Sequence, residues 1–243
     1  MHAKERIDEI KIAAESWEPE QILGWAFETF GHDVAISSAF GPEGMSLIDM
    51  ASRIAKKFRL FTIDTEFFFP ETYNLMETIE HKYGVAIERV FSLVSPEEQA
   101  VTHGAALWRR DPDECCNLRK VEPLRRKLAG LQAWITGIRR DQTKARTAAG
   151  KIEWDEKFGL VKVNPIADWS EKQVWQYIHR YDVPYNVLND RNYPSIGCTH
   201  CTRAVLPGED ARTGRWPGFE KTECGLHIVG QAVRLPQPTI NGD

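Results

Sequence analysis

Five cysteines carry most of the chemistry open to this sequence, and their spacing divides them into two groups. Cys115 and Cys116 are adjacent, Cys198 and Cys201 enclose Thr199-His200, and Cys224 stands alone. A C-x-x-C pair lets two thiolates converge on one metal centre, and four cysteines suit either zinc or an iron–sulfur cluster. Neighbours on a helix point about 100° apart, which fits a centre with separated corners better than one small ion. Spacing alone leaves both centres open, together with a redox pair at Cys198 and Cys201 or plain burial of small apolar side chains. Cys224 lies in Glu223-Cys224-Gly225-Leu226-His227, where a thiol beside glycine with histidine three residues on reads as a nucleophile or as a lone structural cysteine.

Three further segments offer places for an anionic ligand. Ser37-Ser38-Ala39-Phe40-Gly41-Pro42-Glu43-Gly44 joins an apolar run to a helical one, so its backbone N–H groups can face an anion. The same residue types also make an ordinary turn. The segment matches neither the P-loop pattern nor G-x-G-x-x-G, which argues against a P-loop ATPase or a Rossmann dehydrogenase. Ile63-Asp64-Thr65-Glu66 ends the next apolar run, as a nucleoside contact or as the cap of the helix opening at Pro70. Gly137-Ile138-Arg139-Arg140-Asp141-Gln142, followed by Lys144 and Arg146, and Arg203, Arg212 and Arg215 in the tail, are either phosphate- and sulfate-binding cations or solvated loop residues.

The elements that must position these residues follow from periodicity. Ile7, Ile10 and Ala14 mark one helix face, and Pro19 and Gly31 bracket a second helix. Strands are expected over 33–38, 59–64, 85–90, 132–138 and 160–164, with helices over 44–57 and 71–83. Ser170 and Gln173 form a capping box for a further helix. Alternating strands and helices specify an α/β, doubly wound, mostly parallel sheet. From residue 189 onward Pro, Gly and Arg accumulate without period, so the tail is expected to be irregular.

Composition bounds the function. The 243 residues are 42% apolar with a net charge of −4, which suits an ordinary globular protein and argues against a nucleic-acid or membrane-surface binder. The first fifteen residues hold no apolar signal core, and no apolar run approaches the roughly 20 residues of a membrane span. A cytoplasmic protein with free thiols is expected.

From about residue 33 to 227 the chain resembles the adenylyl-sulfate and phosphoadenylyl-sulfate reductase family. The resemblance is carried by Cys115-Cys116-Asn117-Leu118-Arg119-Lys120-Val121-Glu122-Pro123-Leu124, the Gly137–Gln142 segment, Cys198-Thr199-His200-Cys201-Thr202-Arg203 and the terminal Glu223–His227 segment. It implies an adenine-nucleotide α-hydrolase-like (Rossmann-like) fold and a single reductase domain: N-terminal helices over 1–31, a nucleotide-binding core over 32–188 and a cluster-binding, catalytic tail over 189–243. It also implies a [4Fe–4S] cluster on Cys115, Cys116, Cys198 and Cys201, and Cys224 as the nucleophile. Ser37, Ser38, Gly41, Ile63 and Gly137 would hold the nucleotide, Lys120 would lie between cluster and substrate, and Arg146, Arg212, Arg215 and His227 would meet phosphate and sulfate. The implied reaction is reduction of adenylyl sulfate to sulfite and AMP through a cysteine S-sulfonate, in sulfate assimilation, with reduced thioredoxin or glutaredoxin as partner. The S-S-A-F-G loop has a form shared with the branch using the 3′-phosphorylated nucleotide, so that nucleotide is the alternative substrate. The sequence does not decide whether copies associate as a homo-oligomer.

Overall fold

The computed structural model describes residues 3–221 and 223–227, with side chains from Ile7 onward. Its centre is a six-stranded sheet in the order β3-β2-β1-β4-β6-β5. The strands are β1 (Val34–Ser37), β2 (Leu60–Asp64), β3 (Ile87–Phe91), β4 (Ala133–Ile135), β5 (Ile152–Asp155) and β6 (Leu160–Val163). All pairings are parallel except that of β5 with β6, an antiparallel edge hairpin. β5 was not among the expected strands: Ile152-Glu153-Trp154-Asp155 mixes charge with apolar bulk, and its place is set by pairing with β6.

Helices cover both faces, and the alternation of strand side chains explains how. Val34 and Ile36 of β1, with Ala133 and Ile135 of β4, face one core together with α2 (Pro19–Phe30), α3 (Pro42–Ile54), α4 (Pro70–Tyr83) and α8 (Glu171–Arg180). Ala35 and Trp134 between them, with Phe61 and Ile63, face a second core against Leu124 and Leu128 of α7 (Glu122–Leu128). The first helix, α1 (Ala3–Ala14), packs beside β5, and α5 (Pro96–His103) and α6 (Pro112–Cys116) complete the set.

Helix starts follow local chemistry. Pro19, Pro42, Pro70, Pro96 and Pro112 each stand in the first turn of a helix, where a missing N–H costs nothing. The expected helix at 44–57 therefore begins earlier, at Pro42, with Gly41 as its N-cap. The Ser170 box forms as expected: Gln173 N–H donates to Ser170 Oγ, and Ser170 N–H donates to Gln173 Oε1 at 2.8 Å. Beyond residue 188 the described tail holds short 3₁₀ turns and one bridge, Thr202 with Arg215; residues 228–243 lie outside the described part. No helix among the described residues is long and apolar enough to cross a membrane.

Candidate active site

At the point where the strand order reverses, between β1 and β4, the carboxyl ends of the strands open into a cleft of about 640 Å³. Ligands of open α/β sheets bind at such a switch point. Ser37, Ser38, Gly41, Ile63 and Gly137 all line it. The β1–α3 loop turns sharply: buried Phe40 adopts φ +58°, and its N–H donates to Ser38 Oγ at 2.9 Å. A side-chain hydroxyl holding a strained backbone in this way fixes the loop that faces the cleft. Gly137 follows β4 and lies against the start of α3, where an added Cβ would stand 2.9 Å from Glu43 Cβ and 3.2 Å from Gly44 N. Thr65, offered by the sequence as part of a nucleoside contact, lines the cleft, and so do Thr62 and Thr136, which had no sequence signal, being isolated threonines inside or just beyond apolar strands.

Beside the cleft lies a small closed pocket lined by Cys115, Cys116, Cys198 and Cys201. All four are 6–7% exposed, and all five cysteines of the chain are free thiols. Cys115 and Cys116 end α6, after which the chain widens into a π-helical turn, Asn117–Val121. That turn buries Arg119 and Lys120; such π turns often mark functional sites. The C-x-x-C pair closes through Cys201 N–H on Cys198 O, and the Cys198 thiol donates to Thr65 Oγ1 at 3.3 Å. Among the described residues no three His, Cys, Asp or Glu side chains converge on a point fit for one metal ion; the four thiols ring the pocket instead. Lys120 lines both the cleft and the thiol pocket, and so forms part of the wall between them.

Cys224 also lines the cleft, and it packs against the cluster of Cys116, Cys198, Cys201 and Trp216. The segment carrying it is held on both sides. Before it, Glu223 accepts from Arg146 Nε and Nη2 at 2.8 and 2.7 Å. After it, Gly225 O accepts from Lys157 Nζ, and the His227 ring stacks on Trp134 with centroids 5.6 Å apart. Arg212 lies 3.6 Å from Glu223, and Arg215 lies over the Trp216 ring at 4.6 Å while donating to Ser195 Oγ at 3.1 Å. The cleft therefore brings together Arg146, Arg212, Arg215 and His227. It does not take in Arg203, which pairs with Glu209, or Arg140, which pairs with Glu15 on the N-terminal side. Arg139 lines the cleft but is engaged by Glu43 and Asp141. The helix-cap reading of Thr65 and Glu66 does not hold: α4 has Phe69 as its N-cap, without a side-chain bond, and Glu66 accepts from Arg119.

A model of the phosphoadenosine phosphosulfate reductase domain matches residues 33–204, which span β1, the whole sheet and both cysteine pairs. The chain belongs to that family. Relatives of the family include an adenosine 5′-phosphosulfate reductase of Shouchella clausii, 46% identical over 85% of this chain and 86% of its own length. Adenosine 5′-phosphosulfate reductase 2 of Bacillus subtilis is 44% identical over 85% of this chain and 88% of its own. Among solved structures, a phosphoadenylyl-sulfate reductase of Candida auris in complex with phosphate superposes with a TM-score of 0.72 at 36% identity, covering 84% of this chain and 98% of that one. An FMN adenylyltransferase of Candida glabrata, at TM-score 0.56 and 14% identity, shares the fold. The doubly wound, adenine-nucleotide α-hydrolase-like architecture is thus the family's own.

Within this family member the site's electrostatics separate the thiols. Burial pushes the Cys115 thiol up to about 11 and Cys201 up to about 12, with neighbouring thiols adding to the effect. Cys224 goes the other way: burial would raise it, but the Lys120 ammonium and the Leu226 N–H bring it below the ordinary thiol value. Lys120 in turn stays charged although burial opposes this, because Cys198, Cys116 and Cys224 favour the cation. His227 is held neutral, well below the usual imidazole range, by burial and by the surrounding Arg146, Lys162, Lys157 and Arg212. A neutral imidazole flat on Trp134 can donate or accept a hydrogen bond, whereas the acidity of Cys224 comes from Lys120.

Proposed function

We propose that this chain reduces adenylyl sulfate to sulfite and AMP, with Cys224 as nucleophile. One observation carries the reading: the acidified thiol of Cys224 stands at a nucleotide-sized cleft whose wall is shared, through Lys120, with a pocket of four buried thiols. The names of the bacterial relatives agree with it. The Cys224 thiolate attacks the sulfuryl sulfur; the new S–S bond forms as the S–O bond to the phosphate breaks, and AMP departs with that electron pair. Lys120, Arg212 and Arg215 offset the charge growing on the leaving phosphate. Arg146 and His227 lie within reach of the same anionic groups, and Ser37, Ser38, Gly41, Ile63 and Gly137 hold the nucleoside end. A thiol of reduced thioredoxin or glutaredoxin then attacks Cys224 Sγ and expels sulfite, and its second thiol resolves the mixed disulfide and restores Cys224. Such chemistry belongs in a reducing compartment, the cytoplasm.

The thiol pocket fits a [4Fe–4S] cluster. Its donors are four cysteines arranged around a space, and the neighbouring Arg119 Nη2 is a buried donor without a hydrogen-bond partner among the described residues. Cys115, Cys116, Cys198 and Cys201 would hold the cluster, which would supply a fixed charge beside Lys120 and tie the tail to α6. Two-electron thiol chemistry asks for no electron carrier. Anaerobically purified protein is expected to hold about four iron and four sulfide per chain; zinc in their place would remove this part of the reading.

Incubation with adenylyl sulfate is expected to add one sulfonate to Cys224, seen by intact and peptide mass spectrometry. Its appearance in Cys224→Ser would sink the assignment. The likeness to the Candida auris structure favours a second reading, in which the 3′-phosphorylated nucleotide is also accepted. Parallel kcat/KM measurements on the two nucleotides separate the readings.

A further inference from the structure

Glu223 is only 5% exposed, yet it carries a carboxylate. Burying a charge is costly unless it is paired and hydrogen-bonded. Here the compensation comes from far back in the chain. Arg146 binds both carboxylate oxygens, and Thr143 Oγ1 donates to Oε1 at 3.0 Å. Burial would raise the carboxyl, but these bonds and the Arg146 and Arg212 charges hold it below the ordinary carboxylate value. The clasp is itself anchored, since Arg146 Nη1 donates to Gln142, and Gln142 donates to Glu43 in the first turn of α3. One residue before the nucleophile, a buried ion pair thus ties the tail to the segment after β4. Other contacts of the segment among the described residues are the packing of Cys224 on Cys116, Cys198, Cys201 and Trp216, a lysine on Gly225 O, a ring stack and partly buried Leu226.

We propose that Glu223 is the positioning residue of the reaction: its pair with Arg146 latches Cys224 against the cleft for attack on the nucleotide, and the latch opens so that an external thiol can reach the sulfonated sulfur. This rests on Cys224 as nucleophile. The two half-reactions make opposite demands on the same atom. In the first, the sulfur must be held beside a bound small molecule with water kept away. In the second, it must meet a thiol on another protein, which cannot enter the cleft. A side-chain ion pair suits such a hinge, because both partners regain hydration when it opens.

The test uses full-length, anaerobically purified protein with Glu223→Ala, Glu223→Gln, Arg146→Ala and the double variant Glu223→Ala/Arg146→Ala. The first readout is alkylation of Cys224 by iodoacetamide, followed by mass spectrometry across pH. The rate compared is the alkaline plateau, where the thiol is fully ionised, so that any change in its acidity drops out. Each single variant is expected to raise that plateau roughly tenfold, and the double variant no further, since both remove one latch. In single turnover, S-sulfonate formation slows by a similar factor in the Glu223 variants, while thioredoxin-driven release from preformed S-sulfonate is unchanged or faster. A role confined to stability would slow both half-reactions and lower the melting temperature without this opposition. A plateau within about twofold of the parent in both Glu223 variants, additive effects in the double variant, or release slowed as much as formation would overturn the proposal. If the parent forms no S-sulfonate from adenylyl sulfate, the reductase reading fails by itself, and the alkylation cycle still tests the latch.

Discussion

Arg119 Nη1 donates to Glu66 Oε2 at 2.8 Å, joining the π turn behind the cysteine pair to the end of β2, 53 residues earlier. Arg119 is 1% exposed, its Nε donates to Gln99 Oε1 at 2.7 Å, and its guanidinium lies 5.2 Å from the Phe67 ring centre. Gln99 in turn approaches Cys115 Sγ. Arg119→Met leaves Glu66 and Gln99 without their partner, and a loss of about 3 kcal/mol in stability is expected, read from urea unfolding midpoints under anaerobic conditions. Arg119→Lys should recover little, because one ammonium cannot reproduce the planar fork that reaches both partners. A parent-like midpoint for the Met variant would show that this pair contributes nothing to the fold.

The acidity of Cys224 predicts a pH profile. With its value held below that of an ordinary thiol, the reactive thiolate persists to lower pH, and S-sulfonate formation falls only as pH drops through that lowered value. Lys120→Ala removes the main charge that lowers it, so the acid limb should move to higher pH. Single-turnover rates between pH 5 and pH 9 check this; an unmoved limb in Lys120→Ala would mean that another group sets the acidity.

Gly137→Ala places a methyl group against Glu43 Cβ and the Gly44 nitrogen, neither of which can retreat without shifting the start of α3. The expected cost is about 1–3 kcal/mol, divided between stability and the loop that shapes the cleft. Calorimetric titration with AMP should show binding weakened by roughly tenfold. Unchanged affinity would place the nucleotide away from this edge of the sheet.

For the cluster proposed in the closed pocket, the raised thiol values bear on metal retention. Metal binding requires thiolates, and protons compete most effectively for ligands such as Cys115 and Cys201, whose values lie near 11 and 12. Loss of bound metal to a chelator should therefore quicken as pH falls from 8 to 6, and removal should lower the thermal midpoint because four buried thiols lose their common partner. Release that slows on acidification would contradict a thiolate-held centre.

Much of this molecule could be read without coordinates. The apolar runs that became β1 and β2, the helix opening at Pro70 and the Ser170 box depend on interactions within a few residues, so local sequence specifies them. The expected strand at 132–138 shrank to Ala133–Ile135 because Gly137 and Arg139 turn away to line the cleft. β5 and the π turn at Asn117–Val121 were not legible, since the first needs β6 as its partner and the second buries Arg119 and Lys120 against distant groups.

By itself the sequence determined the alternating α/β order, the division of the cysteines into four and one, and the motifs that carry the family likeness. These are properties of residue type and short spacing. Only the tertiary structure decided which charges belong to the site. It drew Arg146 and Arg212 to Glu223, sent Arg203 and Arg140 to other carboxylates, and set Lys120 between the two cavities. It also made His227 a neutral stacked ring and gave Lys120 the task of acidifying Cys224. Electrostatics act through space and scale with burial, and neither quantity is written in the spacing of residues along a chain.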